Sequence, residues 1–359
     1  MASMSESKSV TLPLEQLHAF CQAAMERAGA DNEYARTVAD ALTMTDSWGT
    51  FTHGSKLLFD YLRRVKAGGM SLTNKPFVSR SGPAWAMVDG QNVMGQVAAT
   101  FAMRTAIELA RTTGVAYVGV HNTNHFGAAG YYSWLAAEQG LIGMSMANDI
   151  PSVAAPGSLR AVTGSNPLSY SIPTGPNSDP ILLDMATSTV AGGKVYAAHQ
   201  RGEPIPTTWI NGLDGLPTTD GSLYPLKAAL QPMSGAKGYG ISLMIEGLAG
   251  VLTGAALTWQ VGSWMFDDPT QPTRHGAAFL AFDVQAMMAP EEYERRIRHV
   301  VDEIHAAPTI AGVDHIMLPG EREWKHRHNA LANGLTLPAD VVAKLDRLAD
   351  EWGGERVEK

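Results

Sequence analysis

The stretch Val120-His121-Asn122-Thr123-Asn124-His125-Phe126-Gly127-Ala128-Ala129-Gly130-Tyr131-Tyr132 decides how this chain is read. An apolar run, residues 115–120, leads into it and predicts a buried strand. The polar stretch that follows ends at His125, and small residues then open an apolar run through Trp134, Leu135 and Ala137. A histidine is thereby set between a strand end and a helix start, where α/β folds gather their ligand chemistry. The same position also suits a histidine that caps the helix or packs in the core. The stretch by itself leaves both readings open.

Outward from this point the texture changes in both directions. Upstream, residues 14–28 and 32–48 carry helical spacing, with Leu17, Phe20 and Ala24 in the first and Ala39 and Leu42 in the second. Gly29 stops the first of these. Further helices are predicted over 54–67, ending at Gly68-Gly69, and over 97–113, ending at Gly114. Downstream, short β-like runs at 142–147, 168–172 and 181–184 are split by Pro and Gly turns. One long helix over 239–252 interrupts them, and a strand follows at 277–284. Helices return at 290–306 and 339–352. The layout predicts an α/β (α+β) protein of two domains. Residues 10–114 and 290–355 form a helix-rich unit from both chain ends, around a β-rich unit spanning 115–289.

Composition narrows the function. With 359 residues, 45% apolar and 17% charged, the chain has the makeup of a globular protein with a sizeable core. Its net charge is −8 and Lys and Arg form no long run, so nucleic acid is not an expected partner. The basic residues in 292–299 are interleaved with Glu, the pattern of a solvated helix face. A single cysteine, Cys21, excludes a disulfide framework and a cysteine-based metal site, and no metal centre of any kind is expected. Residues 240–257 are apolar but broken by Glu246 and several glycines, so no membrane span is expected. Residues 1–9 have no secretory pattern and read as a loose polar tail. A cytoplasmic enzyme fits these features.

Several common motifs are missing. No G-x-G-x-x-G follows a strand, no G-x-x-x-x-G-K-[ST] phosphate loop occurs, and neither a G-x-S-x-G elbow nor an H-E-x-x-H zinc helix is present. His326 and His328, two apart, do not share a helix face and read as surface residues.

Other segments do carry chemistry. Trp48-Gly49-Thr50-Phe51-Thr52-His53-Gly54 sets a histidine at a helix–helix corner from which it can reach a cleft. Thr163-Gly164-Ser165-Asn166-Pro167 precedes Ile181-Leu182-Leu183-Asp184-Met185-Ala186, where Asp184 ends an apolar strand. That carboxylate can bind a ribose hydroxyl, orient a histidine or cap a turn. Gly192-Gly193-Lys194 reads as a mobile loop with one ammonium. Gly235-Ala236-Lys237-Gly238-Tyr239-Gly240 opens a helix whose N–H groups, beside Lys237, suit a phosphate. Leu318-Pro319-Gly320-Glu321-Arg322 is a tight turn whose glycine allows close approach of a ligand.

As an ordered set, S/T-H-G, N-H-F-G, G-S/T-N-P, D-M-A, G-K, K-G-Y-G and P-G-E closely resemble the malate/L-lactate dehydrogenase-like family of NAD(P)-dependent oxidoreductases. The resemblance runs from about Leu12 to the turn at 319–321. It implies a non-Rossmann NAD(P)-binding domain with a largely antiparallel sheet, which accounts for the absent glycine fingerprint, and a homodimer with its site near the subunit interface. It further implies that His53 or His125 exchanges the proton that accompanies hydride transfer. Between these two the residues do not decide, since both imidazoles titrate near neutrality. Asp149, Asp184, Met185, Ala186, Lys237, Pro319, Gly320 and Glu321 match cofactor-binding positions. Thr52, Tyr61 and Lys194 are the expected substrate contacts.

The chain departs from its relatives at two positions where they commonly carry arginine, here Leu57 and Trp48. Neither side chain can grip a carboxylate in the bidentate way a guanidinium does, and Lys56 is rotated from Leu57 by about 100°. The resemblance therefore implies an enzyme that interconverts a 2-hydroxy acid, or a related carbonyl compound, and its 2-oxo form with NAD or NADP, on a small-molecule substrate other than malate or lactate. A cyclic imine carboxylate is the alternative substrate class. A catalytically inactive dinucleotide-binding relative is a third reading.

Overall fold

The computed structural model describes residues 8–357, so most of the expected polar tail lies outside the described residues. Its centre is a seven-stranded sheet. The strands are β2 (Phe77–Gly82), β3 (Trp85–Asp89), β4 (Val115–Thr123), β5 (Leu141–Ala147), β8 (Leu168–Ile172), β9 (Ile181–Met185) and β13 (His275–Asp283). They lie in the order β2-β3-β4-β13-β5-β8-β9. Only the β3–β4 pair is parallel, so the sheet is largely antiparallel as the resemblance implied.

The alternation of side chains along β13 explains how the sheet is covered on both faces. Ala277, Phe279 and Ala281 pack into the main core, with residues of α4 (Gly95–Thr113) and α5 (Ala129–Ala137). Ala278 faces the other way, onto Ile245 and Ala249. Those two belong to α7 (Ala236–Ile245) and the π-helical turn Glu246–Val251 that extends it.

Both chain ends meet in a helical layer. α1 (Leu14–Arg27), α2 (Asn32–Ser47) and α3 (Leu58–Ala67) pack with α10 (Glu321–Asn333) and α11 (Ala339–Trp352). A short ladder of β1 (Val10–Leu12) on β14 (Leu335–Leu337) ties the two ends. A smaller five-stranded sheet is built from β6 (Val153–Ala154), β7 (Ala161–Thr163), β10 (Ile210–Gly212), β11 (Pro217–Thr218) and β12 (Ala228–Leu230). It carries its own apolar cluster with α6 (Gly192–Gln200). The short α8 (Val284–Met287) leads to α9 (Pro290–His305), which buries none of its residues.

Three expectations need correction, and one helix carried no expectation. β2 and β3 belong to the large sheet although they fall within 10–114, the span assigned to the helix-rich unit. β2 is an exposed edge strand and has no buried face to give an apolar alternation. Gly192-Gly193-Lys194 is the first turn of α6, not a loop; Val195 and Ala198 anchor it in the small core. The segment after the Pro319-Gly320 turn is a helix, α10, whose charged sequence hid its two buried contacts, Trp324 and Ala330. His326 is half-buried, and its Nδ1 lies 2.9 Å from the Ser47 carbonyl oxygen.

Candidate active site

His125 sits where it was expected, between β4 and α5. The turn is pinned from below. Asn124 is buried, and its amide nitrogen donates to the Val93 carbonyl at 2.9 Å. A Cβ on Gly95, at the start of α4, would lie 2.4 Å from the carbonyl oxygens of Asn124 and His125. The His125 ring stacks on Trp264, centroids 4.5 Å apart and planes 23° apart. Its Nδ1 lies 2.7 Å from the Tyr61 hydroxyl.

Tyr61 is fully buried, and burial pushes its phenol far above the ordinary range. It therefore keeps its proton and donates it to Nδ1, which leaves the hydrogen of neutral His125 on Nε2. Burial, reinforced by the nearby His53 and His275, pulls the His125 pKa down to about 3 against the opposing pull of Asp149.

His53 reaches the same place from the other layer. Its ring centre is 5.9 Å from that of His125, and its Nδ1 is 2.9 Å from the Thr52 hydroxyl. Burial also lowers its pKa, with Asp149 opposing. The loop is anchored by Asp46, which is fully buried at the end of α2 and accepts the Ser55 N–H at 2.9 Å. A Cβ on Gly54 would stand 1.8 Å from the Asp46 carboxylate. Space beside Asp46, rather than an unusual backbone angle, thus demands glycine after His53.

Burial raises the Asp46 carboxyl to about 7. A folded-state pKa above the unfolded one means that the folded state holds the extra proton. Stability from this group is present at low pH and lost as pH rises towards 7, by at most about 1.4 kcal/mol per pH unit. The difference in unfolding free energy between wild type and Asp46→Asn, measured by urea titration, is therefore expected to change in favour of the variant from pH 5 to pH 8. A pH-independent difference would show that Asp46 is ionised throughout.

Between the two histidines and the small sheet lies a cleft of about 1490 Å³. Asp149 lines it just beyond β5. Its backbone N–H is held by Asn166 Oδ1 at 3.0 Å, which gives the Asn of Thr163-Gly164-Ser165-Asn166-Pro167 its task. Asp149 Oδ1 lies 3.0 Å from His275 Nε2 and accepts the Ile150 N–H at 2.8 Å. Burial alone would raise this carboxyl. The hydrogen bond and charge of His275 and the Ile150 N–H together hold it below the ordinary range.

The structure brings most of the sequence-derived residues to this cleft. Thr52, Lys194, Asp184, Met185 and Ala186 line it, as do Pro319 and Gly320. Asp184 accepts the Gly130 N–H at 2.7 Å and so ties the end of β9 to the start of α5. Gly320 has φ +95 and meets Leu182 so closely that a Cβ would lie 2.9 Å from its backbone. Lys194 is exposed on the first turn of α6 and has no ion-pair partner among the described residues.

Three expected contacts fall elsewhere. Lys237 is exposed on α7 and does not line the cleft, because the first turn of α7 faces away from it. Glu321 is taken up by its own turn, accepting the Leu318 N–H at 3.0 Å and lying 2.6 Å from His305 Nε2. Tyr61 stands behind His125, with no surface for a substrate. Conversely, Trp264 and His275 carried no sequence signal. Strand pairing of His275 with Thr123 brings His275 to the site. Leu57 and Trp48 both line the cleft and are nearly buried, and Trp48 packs edge-on against Trp324. Nearby Lys56 and Lys344 are neutralised by Asp340 and Asp60.

Comparison with known proteins agrees with this architecture. A family model for malate/L-lactate dehydrogenase matches residues 12–346. The malate dehydrogenase of Pyrococcus abyssi is 34% identical over 356 residues, covering 97% of each chain. The ureidoglycolate dehydrogenase (NAD(+)) of Escherichia coli K12 is 33% identical over 332 residues, covering 92% of this chain and 93% of its own. The solved structure of malate dehydrogenase from Pyrococcus horikoshii superposes with a TM-score of 0.88 at 30% identity, covering 99% of this chain and 100% of that one. Fold, cleft and relatives together define a dehydrogenase that works with NAD or NADP. The chain belongs to the malate/L-lactate dehydrogenase family.

Among the described residues, no helix is long and apolar enough to cross a membrane, and no cluster of His, Cys, Asp and Glu is placed to hold a metal ion.

Proposed function

We propose that the enzyme interconverts a 2-hydroxy acid and its 2-oxo form, with His53 exchanging the proton and His125 holding the reacting oxygen. The observation that carries this is the pair of imidazoles 5.9 Å apart at one end of a large cleft. The nicotinamide supplies the hydride chemistry when bound, and the protein supplies orientation and the proton. Asp184, Met185, Ala186, Pro319 and Gly320 hold the cofactor in this reading, and Thr52 and Lys194 face the substrate. His125, neutral and with its hydrogen on Nε2, donates a hydrogen bond to the developing alkoxide, as an oxyanion donor does. His53, whose ring is not held by a buried phenol, takes the proton in oxidation and returns it in reduction.

The residues at 48 and 57 favour a substrate less dependent on a paired cationic grip than malate. Restoring the guanidinium with Leu57→Arg is expected to raise kcat/KM for malate by about 10- to 100-fold, the size of one charge-assisted hydrogen bond of about 1.5–3 kcal/mol. An unchanged malate rate would show that position 57 does not meet the carboxylate. The general reading is tested by following nicotinamide absorbance with 2-oxo acids, diketo acids and cyclic imine carboxylates, each with NADH and NADPH. Turnover of a 2-oxo acid supports it. Turnover of imines alone would replace it with the imine reductase reading, and silence with dinucleotide binding intact would overturn it.

The same reading places the enzyme in the cytoplasm, in keeping with a lone, buried free thiol at Cys21, and makes it a homodimer. Support for the dimer comes from the apolar side chains Leu243, Met244, Val251 and Leu252, exposed together along α7 and its extension. The division into a helical unit from both chain ends and a β-rich unit is proposed with the boundary moved to include β2 and β3 in the latter. Light scattering that gave a monomer mass would rule out the dimer.

A further inference from the structure

β13 enters the cleft wall at His275, which is 2% exposed. Both of its ring nitrogens have partners, and the protons between them can be counted. Asn124 Nδ2 donates to Val93 O at 2.9 Å, to Asn92 Oδ1 at 3.0 Å and to Asn92 O at 3.3 Å. Three acceptors on one side set the amide orientation, so Asn124 Oδ1 faces Thr273. The Thr273 hydroxyl donates its one proton to that oxygen at 2.9 Å. Towards His275 Nδ1, also 2.9 Å away, it can then only accept, so Nδ1 carries a hydrogen. Nε2 faces Asp149 Oδ1 at 3.0 Å, and a carboxylate there requires a donor. Nε2 therefore carries a hydrogen too. Burial of such a pair is tolerable because each charge is met by the other and the remaining hydrogen-bonding groups are satisfied.

We propose that His275 is a positioning residue of this site: held as a doubly protonated imidazolium by Asn124 and Thr273, it keeps Asp149 ionised, with Oδ1 fixed and Oδ2 open to the cleft of His53 and His125. Asp149 Oδ2 has no hydrogen-bond partner among the described residues, and Asp149 lines that cleft. When a histidine takes the proton from the substrate hydroxyl, the imidazolium formed lies in the field of this carboxylate. Without the His275 cation, burial favours the protonated acid and the balancing charge disappears. The titratable groups facing His275 are Asp149 and His125, the latter with its ring centre 6.3 Å away. Thr273 and Asn124 do not titrate. The inference rests on the acid/base reading of the two cleft histidines.

Nitrogen-15 NMR of the full-length protein labelled at histidine tests it, with the His275 signal assigned from its loss in His275→Gln. Both ring nitrogens of His275 are expected to be protonated at pH 7 in the wild type. Glutamine retains one donor towards Asp149 but no charge. It is expected to lower kcat by about tenfold, with a smaller change in cofactor KM, and to move the acid limb of the pH–kcat/KM profile up by about one unit as Asp149 begins to titrate. An unprotonated ring nitrogen in the wild type, or a variant profile that superposes on the wild-type one, overturns the inference. If His275→Gln fails to fold, through-bond correlation of the ring nitrogens to the assigned His275 backbone in the wild type identifies the signal, so the wild-type spectrum still decides. These failures leave dehydrogenase turnover in place. Absence of turnover across the substrate panel instead overturns the proposed function, and the role of His275 with it.

Discussion

Replacing His53 by alanine is expected to lower kcat by about 10²–10⁴-fold, the usual contribution of a positioned proton-transfer group, with a smaller effect on cofactor binding. The expectation follows from a difference between two imidazoles in one cleft. His125 has its Nδ1 occupied by the Tyr61 hydroxyl and its pKa drawn down to about 3, so it holds no second proton at neutral pH. His53 has the Thr52 hydroxyl as its one side-chain hydrogen-bond partner among the described residues, and burial lowers its pKa below the ordinary value. In the oxidation direction the unprotonated base is required. Activity should then rise with pH through the His53 pKa, below its ordinary value, and level off by neutrality. His125→Ala removes a hydrogen-bond donor instead, at roughly 10²–10³ in kcat, and should leave that limb in place. Loss of the acid limb in His125→Ala but not in His53→Ala would reverse the two roles. Steady-state profiles of both variants provide the comparison.

Gly95→Ala is expected to destabilise the protein by about 1–3 kcal/mol and to lower kcat more than tenfold. The new methyl group would lie 2.4 Å from two backbone carbonyl oxygens, those of Asn124 and His125. Neither belongs to a flexible side chain, so the α4 start or the His125 turn must shift. The turn is the weaker of the two, since α4 is locked into the core by Val97, Ala98 and Ala102. A shift there moves His125 away from Trp264 and Tyr61, and displacement of a reacting group by about 1 Å can cost about 10²-fold. The variant's urea midpoint and its kcat under folded conditions separate the two effects. Wild-type kcat in a destabilised Gly95→Ala protein would show that the helix, and not the turn, gives way.

The two histidine motifs, the Asp184 strand end and the Pro319-Gly320 turn were all legible in the sequence. Each is a local event: a strand stops, a helix starts, or a glycine permits a close approach. Their ordered recurrence also carried the family, and hence the antiparallel sheet and the dinucleotide chemistry. What was misread has a local cause as well. β2 has no buried face, the glycines of Gly192-Gly193 open a helix without marking it, and the Lys237 segment shows a helix start without showing which way it faces.

Only the tertiary structure decided what surrounds the histidines. His275 lies beside the His125 turn because β13 pairs with β4 across some 150 residues of chain, in a register that sets His275 against Thr123. Trp264 comes under His125, and Tyr61 behind it, through packing between layers. Asp46 explains Gly54 only once α2 and the His53 loop are seen in contact. Identity and spacing along the chain determined which groups can do chemistry. Proton positions and pKa shifts depend on burial and on partners within a few ångströms, and those are set by strand register and side-chain packing that no single segment encodes.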